Sequence, residues 1–92
     1  MTEEQKLFWN EIQKIQANVV NHSLMAASKY DSMEELLNDV TYEVICEFME
    51  LLDGYKNKDL YGEIISRSKG CKINSNMELH DCCEDYLKCS DK

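Results

Sequence analysis

The chain has 92 residues, with 10 Lys and Arg against 18 Asp and Glu, a formal net charge of −8, five Cys, three Gly and no Pro. That length is one domain, and a chain of this size buries only about 60–65% of its unfolded surface, so the core is modest. The acid excess excludes a binder of the phosphate backbone, which needs clustered Lys and Arg, and a hydrophobic share of 43% excludes a disordered tail.

The longest uncharged run, residues 15–28, is interrupted by Gln, Asn, His and Ser, so it is too short and too polar to span a bilayer. The start, Met1-Thr2-Glu3-Glu4, lacks the basic and then apolar regions of a secretory signal. A cytoplasmic protein without membrane association is expected. In that reducing compartment disulfides are rare, and an odd cysteine count leaves one unpaired, so free thiols are expected.

The first element opens on Thr2 and Gln5, a capping box. Phe8, Ile12, Ile15, Val19, His22, Ala26 and Tyr30 follow at steps of three and four, which predicts an amphipathic helix over residues 3–29. Trp9, Val20, Leu24 and Ala27 fall on a flanking arc. Ser32 and Glu35 open a second helix, residues 33–53, with Met33, Leu37, Val40, Val44, Phe48 and Leu51 as its central stripe. Gly54 stands where a left-handed C-cap ends it. The short link predicts an antiparallel helical hairpin.

Residues 55–74 are a short β-hairpin or an irregular segment. Strands near 61–66 and 71–74 would flank the turn Ser68-Lys69-Gly70, and Gly62 with the pair Ile64 and Ile65 favours them. A short helix over residues 59–67 is the alternative. Ser75 and Glu78 form a third capping-box pattern and predict a C-terminal helix over residues 76–88. The fold class is therefore mainly α. Its expected core is Phe8, Ile12, Ile15, Val19, Leu37, Val40, Val44, Phe48, Leu51, Leu79, Cys83 and Tyr86.

The second helix carries the most informative pattern. Glu35, Asp39, Glu43, Glu47, Glu50 and Asp53 share an arc of about 120°, with no Lys or Arg between Asp31 and Asp53. Carboxylates four apart repel by a few tenths of a kcal/mol per pair. The arc is either a solvated face neutralised by Lys6, Lys14, Lys56 or Lys58, or a ridge complementary to a basic protein partner. The second reading makes the chain a non-enzymatic protein-binding module, inhibitor- or immunity-like in role, with no cofactor and no direct contact to nucleic acid.

Two alternatives come from other residues. Cys71, His80, Cys82, Cys83 and Cys89 crowd into 19 residues. Cys71, His80 and Cys83 are the set that could share a metal, but the chain has no C-x-x-C pair. Core cysteines are the plainer reading. A His80–Cys83 nucleophilic dyad would be opposed by Asp81, Glu84 and Asp85, whose charge raises a thiol pKa. Leu7-Phe8-Trp9 is too apolar for one helix face to bury. Trp9 is thus an exposed anchor or homodimer contact, unless residues 60–73 fold over it.

Overall fold

The computed structural model describes residues 1–90. Helix α1 spans Glu3–Ala26 and runs into a 3-10 turn, Ala27–Lys29. Helix α2 spans Met33–Leu52. A second 3-10 turn, Leu79–Cys82, leads into a single-turn helix α3, Cys83–Tyr86. The fold is mainly helical, and α1 and α2 make the largest contact between elements.

Both long helices begin as their sequences dictate. The Thr2 hydroxyl accepts from the Gln5 N–H at 3.1 Å, and the Gln5 side chain accepts from the Thr2 N–H at 2.8 Å, closing the capping box. The Ser32 hydroxyl accepts from the Glu35 N–H at 3.2 Å. Helix α2 ends in a Schellman motif: Gly54, at φ +87°, donates to Leu51 O, and Tyr55 donates to Glu50 O. Gly62 permits a second close approach. Its N–H donates to Leu52 O at 2.9 Å, and a Cβ there would lie 2.7 Å from the Leu52 side chain.

The middle segment forms neither expected strands nor the short helix. Among the described residues there is no strand, only an isolated antiparallel bridge between Ile65 and Lys72. Two further hydrogen bonds, Ser66 N–H to Cys71 O and Ile73 N–H to Ile64 O, draw the two limbs together. A side chain completes the closure. Buried Asn74 accepts from the Ile64 N–H and donates to Gly62 O, each at 3.0 Å. A two-residue ladder gains too little to propagate, and the amide of Asn74 substitutes for the missing rungs.

The C-terminal helix is also shorter than its pattern. Ser75 starts no helix, because Asn76 adopts φ 60°, a left-handed turn conformation. The helix begins instead after Glu78 and stops after Tyr86, where Leu87 is extended. With two turns instead of four, no continuous apolar face forms. Tyr86, expected in the core, is 83% exposed.

The fully buried apolar residues are Ile15, Val19, Leu51 and Cys83. Phe8, Ile12, Val40, Phe48 and Leu60 pack around the first three. Leu37 and Val44, also expected inside, are exposed, because α1 covers only one edge of the α2 stripe. The result is elongated, 43 × 28 × 21 Å. Leu51→Ala is expected to cost about 3 kcal/mol, as for a fully enclosed leucine. Tyr86→Ala is expected to cost under about 0.5 kcal/mol. Urea unfolding of the two variants checks the contrast, and equal losses would refute this account of the core.

Candidate protein-binding surfaces

The six carboxylates of the α2 arc do not share one environment. Two of them hold the chain together. Asp53, nearly enclosed at the end of α2, accepts from the Leu79 and His80 N–H groups at 3.0 and 2.9 Å, and its Oδ2 lies 2.6 Å from His80 Nδ1. A carboxylate can only accept, so the ring nitrogen donates. Asp39 does the same further back. It accepts from the Ser90 N–H, the Ser90 hydroxyl and the Tyr30 hydroxyl. Ser90 and Tyr30 together hold its carboxyl down at about 2.

Three more are matched, from α1 or from the segment after α2. Glu43 lies 2.5 Å from His22 Nδ1. Glu47, buried, accepts from Asn18 at 3.1 Å and pairs with Lys56 at 2.7 Å. Glu50 shares the same lysine at 3.8 Å. Buried Glu11 joins this group through Lys14 at 3.0 Å. Six carboxylates with one lysine and two histidines still leave the arc net negative.

Glu35 alone keeps a carboxylate without a partner among the described residues. It lines a cleft of about 420 Å³ with Asn38, Asp85, Tyr86 and Lys88, between the start of α2 and the C-terminal segment. Asp85 is likewise unpaired among the described residues, and Tyr86 stands open to solvent beside it. The cleft therefore offers two free carboxylates and an aromatic face, tempered by one lysine. That combination suits a guanidinium or ammonium group, through charge and through the ring quadrupole.

Trp9 is on the other side of the hairpin. It packs edge-on against Phe8 at 5.7 Å, and Phe8 packs edge-on against Phe48 at 6.3 Å. Residues 60–73 do not cover it. Leu60 and Tyr61 lie instead over Phe8, Leu51 and Leu52, at the end of the hairpin. Trp9 remains 53% exposed at the edge of an open groove.

The cysteine and histidine candidates separate. Cys71 is exposed at the turn, where its thiol faces Lys69 O. Cys83 is buried against Cys46, and burial followed by that neighbour pushes its thiol up to about 12. Burial therefore disfavours its thiolate. His80 turns to Asp53, and its Nε2 faces Asp81 at 3.3 Å and Glu78 at 3.6 Å. Among the described residues, the one group of three His/Cys/Asp/Glu donors within 4.8 Å of one another is Asp53, Glu78 and His80, without a cysteine. Tyr55 packs tilted against His80, ring centroids 4.6 Å apart, and donates to Glu78, and that hydrogen bond raises the phenol to about 12.

Glu11, Tyr30, Asn74 and Ser90 carry roles that no periodicity announces. Each is polar; Tyr30, Asn74 and Ser90 find partners nine or more residues away, and Glu11, buried by the fold, pairs with Lys14 one turn along α1. No protein-family model, curated protein or solved structure matches the chain. Among the described residues no helix is long and apolar enough to cross a membrane.

The Asp53–His80 pair makes stability depend on pH. Burial pushes the Asp53 carboxyl up, but the His80 backbone and ring and the Leu79 N–H outweigh it and hold the carboxyl below 3.8. That contribution is present above about pH 4 and is lost as pH falls through the folded value. The Asp53 hydrogen bond, with Asp81 and Glu78 nearby, outweighs burial and raises His80 above 6.5. Its contribution is complete below about pH 6.5 and is lost as pH rises through the folded value. The urea midpoint of the wild type should therefore exceed that of Asp53→Asn most between about pH 4 and 6.5, and the gap should narrow on both sides. A gap that stays flat with pH contradicts the pairing.

Proposed function

We propose that the protein is a non-enzymatic protein-binding module that captures a basic partner, in the manner of an inhibitor or immunity protein. The observation that carries the reading is the cleft at the start of α2. There Glu35 and Asp85 have no partner among the described residues and lie beside the open ring of Tyr86. A lysine or arginine side chain of a partner enters between them. The remaining acids of the α2 arc, Asp39, Glu43, Glu47 and Glu50, supply a negative field that speeds encounter and excludes acidic competitors. Their internal partners hold them in place, so the partner need not order them on binding.

Fluorescence anisotropy with a labelled arginine-rich peptide tests this. The wild type should bind, with affinity falling as salt rises from about 50 to 300 mM. The double variant Glu35→Lys, Asp85→Lys should bind about tenfold or more weakly, a loss of about 1.4 kcal/mol, with its circular dichroism unchanged. Equal binding by the two proteins removes the cleft as the site.

A further inference from the structure

We propose that two copies of this chain pair through the open groove between α1 and α2, completing a four-helix core that the single chain leaves half built. This does not rest on the basic-partner reading, since the groove lies on the other side of the hairpin.

The groove has a volume of about 590 Å³ and is lined by Trp9, Val20, Val40, Val44 and Phe48, with Ile12, Ile15, Val19 and Gln16 beneath and beside them. Trp9 is 53% exposed, Val20 50% and Val44 40%. Leu37, 53% exposed, continues the stripe along α2. At 100° per residue Leu37, Val44 and Phe48 fall within about 40° on α2, and Trp9, Gln16 and Val20 within about 40° on α1. Two stripes on adjacent helices make one apolar face. A chain that, among the described residues, buries Ile15, Val19, Leu51 and Cys83 while leaving this face open has the layout of half a bundle.

Charge selects the occupant. The chain has a net charge of −8, so a second copy is repelled at most orientations. No charged side chain lines the groove. This is therefore a face on which two copies meet without opposing carboxylates, and pairing turns both acid arcs outward. A basic partner finds no carboxylate there to recognise. A two-fold pair also satisfies both grooves at once, since each copy presents the same patch.

The area suits a weak pair. The apolar side chains of this face run from Trp9 to Leu24 on α1 and from Met33 to Phe48 on α2, about 24 Å along each helix, and two helices about 10 Å apart present a face about 20 Å wide. The pair then buries about 1,000 Å² in total, at the threshold for a specific interface.

Sedimentation equilibrium of the full chain tests the proposal. The wild type should show a species of twice the 10.8 kDa chain mass at tens of micromolar. Its dissociation constant should fall about threefold or more from low to high salt, as the like charges are screened. Trp9 is the sole tryptophan, so its emission should shift to the blue as concentration rises. Val44→Glu and, separately, Val20→Glu should each be monomeric, with helical circular dichroism retained. Both positions are open to solvent, so the fold does not depend on them. A wild type that stays monomeric at high salt and hundreds of micromolar overturns the proposal. So does a dimer that survives both substitutions. In either case the peptide binding tested at Glu35 and Asp85 stands or falls separately.

Discussion

Everything after α2 depends on where one carboxylate sits. Asp53 is the C-cap of that helix, and it is held in a fixed position by the Schellman turn that follows it. From there it collects two backbone N–H groups and an imidazole from residues 79 and 80. Removing a carboxylate from water is costly unless its lone pairs are filled, and here the chain itself fills them. The 3-10 turn at Leu79–Cys82 is thereby fixed against α2, and Cys83 is carried into the interior behind it. Apolar burial is small in this protein, so charged hydrogen bonds set the arrangement of the parts while a few side chains supply the cohesion.

The same logic divides the acid arc. Carboxylates four apart on one helix oppose one another, and the fold relieves them in different ways. Asp39 and Asp53 become acceptors for the C-terminal segment. Glu43, Glu47 and Glu50 meet His22, Asn18 and Lys56. Glu35, one turn into α2, faces solvent with Asp85. The arc is therefore not uniform: Asp39 and Asp53 anchor the C-terminal segment, the three glutamates between them are matched, and Glu35 at the start is open. Lys56, one of the lysines singled out as a neutraliser, serves two glutamates at once, and Lys14 serves Glu11.

The long helices were legible because each is defined locally. Thr2, Ser32 and Gly54 are signals whose partners lie within three or four residues, and periodicity over twenty residues averages out the exceptions. The C-terminal helix failed for the opposite reason. Its pattern is short, and the left-handed Asn76 displaced its start beyond the Ser75 signal. The middle segment was ambiguous because its apolar runs are short: Gly62 and the pair Ile64 and Ile65 favoured strands, and a short helix over residues 59–67 fitted too. Asn74, an amide closing a loop over ten residues, decided it. At the candidate site the acidic pattern was visible in the sequence. Which acids stay free was not, since that depends on Tyr30, Lys56, His80 and Ser90 arriving from elsewhere.

The contact between Asp39 and Ser90 spans 51 residues. A ribosome adding about 5–20 residues per second makes Ser90 about 2–8 s after the end of α2. For that interval Asp39 and Asp53 lack their donors, and the side of α2 that later receives Cys83 is open. The hairpin can zip early, because its contacts are close in sequence, but it must then wait. The C-terminal segment is therefore expected to dock last, onto a helical hairpin already in place.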